Sequence, residues 1–175
     1  MAKRQFLLRK VQDDRIDCIS NLDRGVFCVV TVFDVGKYIV DKLGVVDTWK
    51  LQKLVYYCQA WSLVWDGRPL FDSRIEAWAN GPVCRELYSR HKGMYQVRPD
   101  SNTVWEGADP GTLSIDERET ADAVLNYYGG RPGHELRELT HLEDPWNIAR
   151  EGVPLMEPCE NEITHDMMKI YYGSL

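Results

Sequence analysis

The chain has 175 residues, 44% of them hydrophobic and 27% charged, with a formal net charge of -6. That size and balance support one globular domain with a core of its own, and the acidic charge opposes general attraction to nucleic-acid phosphate or anionic lipid. The cysteines Cys18, Cys28, Cys58, Cys84 and Cys159 form no C-x-x-C pair, which fits a reducing cytoplasm, and no run approaches the ~20 apolar residues of a membrane helix.

Residues 1–30 are mixed in charge, poor in helix caps and interrupted by Asn21 and Gly25. The basic cluster Lys3, Arg4, Arg9 and Lys10 is soon offset by Asp13, Asp14 and Asp17, as expected of a solvated tail. The body then begins with a capping box, Thr31 to Asp34, opening a helix whose stripe is Val32, Val35, Ile39 and Leu43 and whose stop is Gly44. Asp47 or Thr48 caps the most conspicuous segment, Thr48 to Trp65. Its core stripe is Leu51, Leu54, Val55, Cys58, Trp61, Ser62 and Trp65, and Lys50 and Lys53 fall on its outer side. A helix apolar on most faces is expected to be surrounded by protein, its own or a partner's.

Asp66-Gly67 and Arg68-Pro69 then turn the chain. Ile75 to Ala79 alternates as a short strand does. Asn80-Gly81-Pro82 turns it again, and Pro82 is placed to start a helix carrying Val83, Glu86, Leu87 and Arg90. Lys92 to Gly111 has no regular pattern. Ser114 to Glu117 is a second capping box, opening a helix with Ala121, Val124, Leu125 and Tyr128 inward and Gly129-Gly130 at its end. Shorter helices follow over His134–Thr140 and around Trp146–Ala149, the latter with Asp144 as cap and Pro145 at the first position. The last helix, capped by Thr164, carries Met167, Ile170 and Tyr171 on one side. The expected fold is therefore mainly α, a single-domain helical bundle around a central buried helix, with at most a small β-hairpin.

Catalytic patterns are weak. His134, Glu138 and His141 share a helix face, yet they depart from H-E-x-x-H, and a solvated polar face is the commoner explanation. Cys58 lies on an apolar face, and Cys84, although near a helix start, has no histidine aimed at it by the sequence. No phosphate loop, nucleophile elbow or dinucleotide fingerprint is present. These features point to no enzyme, no metal and no cofactor. The surplus lies in aromatics: six tryptophans and nine tyrosines are many for one core of this size, and such residues anchor interfaces. Trp49, Gln52, Tyr56 and Gln59 form the best candidate for a protein contact. Equally, another helix of the same chain could cover this face and hydrogen-bond its glutamines inside.

The run Trp49-Lys-Leu-Gln-Lys-Leu-Val-Tyr-Tyr-Cys-Gln-Ala-Trp61, followed by Gly67-Arg-Pro-Leu-Phe71, Ile75-Glu-Ala-Trp78 and Asn80-Gly-Pro-Val83, closely resembles the Panacea domain, also described as SocA-like or GepA-like. The resemblance extends to Asp144-Pro-Trp146, Ile163-Thr164 and Tyr171-Tyr172. It implies an antitoxin of a type II pair, which neutralises by direct binding a toxin encoded beside it. An adaptor that hands the toxin to an AAA+ protease is the alternative, and an enzyme reversing the toxin's effect is a weaker one. The implied partners are the cognate toxin, the AAA+ protease under the adaptor reading and a second copy in a homodimer. Neither general nucleic-acid binding nor a membrane is expected.

Under this resemblance the domain spans 31–175. Residues 1–30 become an N-terminal extension, and native translation is expected to start at Val30 from an alternative codon. The partner-binding candidates are Trp49, Gln52, Tyr56 and Gln59, with Glu76, Asn80 and Arg85 at the neighbouring turn. Changing Tyr56 and Gln59 to alanine is expected to weaken neutralisation and leave the fold intact.

Overall fold

A computed structural model describes residues 29–175; the expected extension, apart from Val29 and Val30, lies outside the described residues. Helix α1 spans Val32–Leu43 and β1 Val46–Asp47, followed by α2, Thr48–Trp65. The strands β2, Ile75–Trp78, and β3, Gly81–Cys84, precede α3, Arg85–His91, and β4, Gln96–Val97. A 3-10 turn at Pro110–Thr112 leads to α4, Ile115–Tyr128, α5, Gly133–His141, α6, Asp144–Ala149, and α7, His165–Gly173. The fold is mainly helical.

Local chemistry sets the main boundaries. Thr31 and Asp34 form the capping box of α1, Ser114 and Glu117 that of α4, and Asp47 accepts the Lys50 N–H to cap α2. These contacts pair amide groups that a helix start otherwise leaves without partners. Gly44, with φ of 78°, ends α1 in a region that L side chains avoid.

Helix α2 is the axis of the molecule. Every residue from Leu51 to Leu63 is buried, because α1, α4, α5, α7 and β3 all pack against it. Leu51, Leu54 and Val55 are fully inaccessible, each such side chain contributing roughly 1.5–3 kcal/mol of hydrophobic stabilisation. Lys53, expected on the outer side, is 2% exposed, because the Gly81-Pro82 backbone and α5 cover the face where it lies. On another side Tyr57 stacks on Tyr128 with ring centroids 3.9 Å apart, while Glu143 Oε2 receives the hydroxyls of Tyr57 at 3.1 Å and Tyr172 at 2.7 Å. These bonds supply that buried oxygen with partners.

Pro82 is in β3, not at a helix start. The pairing Trp78↔Gly81 and Ala77↔Pro82 closes a tight hairpin, with φ of 95° at Gly81, so the chain enters α3 only at Arg85. The other edge of β2 bonds to Asn161 and Ile163. A second short pairing, Val46↔Val97 and Asp47↔Gln96, joins β1 to the segment without sequence pattern. On α7 the buried residues are Met168 and Tyr172, whereas Ile170 faces solvent. Helix α6 takes Glu143 as its cap residue, with Asp144 already inside the first turn. Among the described residues no helix is long and apolar enough to cross a membrane.

Candidate functional site

The face expected to meet a partner divides in two. Gln52, Tyr56 and Gln59 are buried by this chain itself. Gln52 Oε1 accepts the Cys84 N–H at 2.8 Å, and its Nε2 donates to the Cys84 carbonyl at 3.3 Å and lies 2.8 Å from His91 Nε2. Gln59 Oε1 accepts the N–H groups of Leu70 and Phe71 at 2.9 and 3.2 Å, and Nε2 donates to the Phe71 carbonyl at 2.9 Å. Gln52 thus fastens the end of β3 to α2, and Gln59 the irregular Leu70-Phe71 backbone. Tyr56 packs among Tyr57 and Tyr172. Glu76, also buried, accepts the Trp78 indole N–H at 2.7 Å. Backbone pairing and aromatic packing of this chain cover these four positions, Gln52, Tyr56, Gln59 and Glu76, with both glutamines hydrogen-bonded inside.

Trp49, Asn80 and Arg85 are exposed. Arg85 reaches Glu160 at 3.0 Å, and Asn80 accepts from Arg137 Nε at 3.1 Å. Trp49 is 48% exposed and belongs to a larger apolar patch with Val45, Met94 and Tyr95, the last of which is 92% exposed. The β1–β4 pairing builds this patch. It continues into a bond from the Thr48 N–H to the Tyr95 carbonyl at 3.0 Å and another from the Thr48 hydroxyl to the Met94 carbonyl at 3.2 Å, holding residues 94 and 95 against the start of α2.

Beside the patch a cavity of about 260 Å³ runs inward. Trp49, Asn80, Gly93 and Met94 are its exposed lining residues, and Thr48, Gln52, Lys53, Val83 and His91 its buried ones, with half-buried Trp78 and Tyr88 completing the wall. Aromatic rings and the buried Lys53 side chain therefore line one small space. Lys53 Nζ donates to the Pro82 carbonyl at 3.0 Å. Burial, reinforced by the field of Arg137 and partly opposed by Asp47, lowers its pKa to about 7. Burial also lowers the pKa of His91, leaving the ring neutral to share a hydrogen bond with Gln52.

The Lys53 shift has a measurable sign. Since the folded chain holds this proton less tightly than the unfolded chain, Lys53 makes stability rise with pH between about 7 and the ordinary lysine value, 10.5. The stability of Lys53→Met relative to wild type is therefore expected to fall as pH rises from about 7 to 9.5, by up to about 1.4 kcal/mol per pH unit. Urea unfolding of both proteins across that range checks it; parallel curves would contradict it.

The other candidate chemistry does not assemble. His134 and Glu138 are exposed on α5, whereas the His141 ring stacks on Trp146 at 3.9 Å. Burial, with the fields of Arg137, Lys53 and Arg150, lowers the pKa of His141 to about 4. Among the described residues no group of three or more His, Cys, Asp or Glu side chains is arranged to hold a metal ion. Cys84 is buried and its thiol pKa is raised by burial, the opposite of nucleophile activation. The Cys58 thiol is pushed up by burial as well.

Residues 51–147 match the family model described as antitoxin SocA-like, Panacea domain. The chain belongs to this family. No curated protein and no solved structure matches it. Within the cavity wall only Thr48 and Trp49 fall outside the segment that matches the Panacea model. Sequence periodicity missed Lys53, Trp78, Tyr88, His91 and Met94 as neighbours around one space. The available signal was a lysine in the middle of an otherwise buried helix, which needs either solvent or a dedicated setting.

Proposed function

We propose that this chain is the antitoxin of a type II toxin–antitoxin pair and neutralises a toxin encoded by the adjacent gene through direct protein binding. Membership of the SocA-like Panacea family carries the reading. Exposed Trp49 and Met94 in the lining of a cavity, with exposed Tyr95 next in the chain, support a protein contact there, since aromatic and methionine side chains are enriched at interfaces; Asn80 also lines it, and exposed Arg85 follows β3. The net charge of -6 suits a basic partner surface and faster encounter with it.

Induction of the adjacent gene alone is expected to arrest growth, and co-expression of this chain to restore it at amounts comparable with the toxin's. Toxin that persists at an unchanged level during rescue marks sequestration. A falling level marks delivery to a protease, and rescue far below stoichiometry marks an enzyme. An adjacent product without toxicity removes the reading.

A further inference from the structure

The cavity beside Trp49 combines features that ordinary packing does not require. Its rim and walls carry Trp49, Trp78, Tyr88, Val83 and Met94, while Lys53 lies among its buried lining residues. A protonated amine has three donors, and the Pro82 carbonyl is the single hydrogen-bond acceptor that Lys53 finds among the described residues. No carboxylate there forms an ion pair with it; Asp47, the carboxylate whose field reaches it, instead caps α2 through the Lys50 N–H. A buried cation so placed is costly unless an anion joins it.

The dimensions restrict the anion. At about 260 Å³ the space falls just below the ~300–1,000 Å³ of typical small-molecule sites, which suits one residue better than a cofactor. A phosphate would normally call for an arginine fork or several cations, and Lys53 is the one Lys or Arg in the wall. An Asp or Glu side chain would satisfy the amine but bring little apolar surface to the three aromatic rings. A chain-terminal apolar residue brings both, with carboxylate and side chain on adjacent atoms.

We propose that this cavity binds the C-terminal residue of a protein partner, its apolar side chain against Trp49, Trp78 and Tyr88 and its α-carboxylate on Lys53. The proposal rests on the reading of the chain as a binding protein and requires no particular toxin. Because the carboxylate selects the protonated amine, binding draws a proton onto Lys53 and strengthens as pH falls from about 8.5 to 6.5. The other titratable or charged groups around this amine are Asp47 at the start of α2, Arg137 and His141 on α5 and His91 on α3. His91 also lines the cavity, so its own protonation would help an anion at low pH; Lys53→Met separates the two, since it retains His91.

The test uses the full chain and three probes: N-acetyl-phenylalanine, its C-terminal amide, and N-acetyl-glutamic acid α-amide, which carries only a side-chain carboxylate. Titrations are followed by the indole N–H resonances of Trp49 and Trp78. N-acetyl-phenylalanine is expected to shift both resonances saturably and to bind about tenfold or more tightly than either other probe, in keeping with one charge-assisted contact. Lys53→Met should erase its advantage over the amide and its pH dependence.

Equal binding of acid and amide to the wild-type chain, or no saturable shift with the acid, overturns the proposal without recourse to any variant. So does an advantage that survives in folded Lys53→Met. Side-chain carboxylate binding as tight as that of the acid overturns the chain-terminal assignment. Failure of the wild-type chain to rescue growth would remove the antitoxin reading while leaving the probe results standing, and the converse also holds.

Discussion

Gln59→Ala is expected to destabilise the protein by about 3–5 kcal/mol, a large share of the ~5–15 kcal/mol that holds a domain folded. The side chain is fully buried and meets two backbone N–H groups and one backbone carbonyl, at Leu70 and Phe71. Alanine would leave those three groups without partners in a segment that is itself buried, at roughly 1–3 kcal/mol each, less whatever entering water recovers. The expected phenotype is a lower urea midpoint and reduced soluble yield. Any loss of toxin rescue would then follow from unfolding, which revises the expectation that alanine here leaves the fold intact. A stability change below about 1 kcal/mol would show that the glutamine network contributes little.

Trp49→Ala is expected to do the reverse, weakening the toxin complex by about 2 kcal/mol or more, roughly thirtyfold in Kd, while costing about 1 kcal/mol or less in stability. Tryptophan is among the residues whose truncation most damages interfaces. Here it is half exposed, next to Met94 and Tyr95, at the edge of the cavity. Its partial exposure limits the burial lost from the free protein. Titration calorimetry with the product of the adjacent gene, beside urea unfolding of the variant alone, separates the two effects. An unchanged Kd would exclude this patch from the interface and redirect attention to Leu155, Met156 and Ile170, apolar side chains exposed elsewhere.

These opposite expectations come from two residues on one helix, ten positions apart, that sequence periodicity groups on the same face. Spacing determines the direction in which a side chain leaves the helix and leaves open what stands there. At Gln59 the next segment of the chain folds back and presents Leu70 and Phe71; at Trp49 the β1–β4 pairing brings Met94 and Tyr95 alongside but leaves the indole half uncovered. The same distinction separates Lys50 from Lys53. Only the latter lies beneath the Gly81 turn, where a Cβ on Gly81 would fall 2.6 Å from the lysine Cε.

By itself the sequence determined the central helix at Thr48–Trp65, both capping boxes, the predominance of helix and the family, because each rests on neighbouring residues or on an ordered run of them. The tertiary structure alone decided that Pro82 pairs in a strand, that Gln52, Tyr56, Gln59 and Glu76 face inward, and that Lys53 shares a cavity with Trp49, Trp78 and Tyr88. The physical reason is that a polar side chain is satisfied equally well by water or by a distant backbone group. The choice between them depends on segments 11 to 39 residues away in the chain, whose arrival local periodicity does not encode.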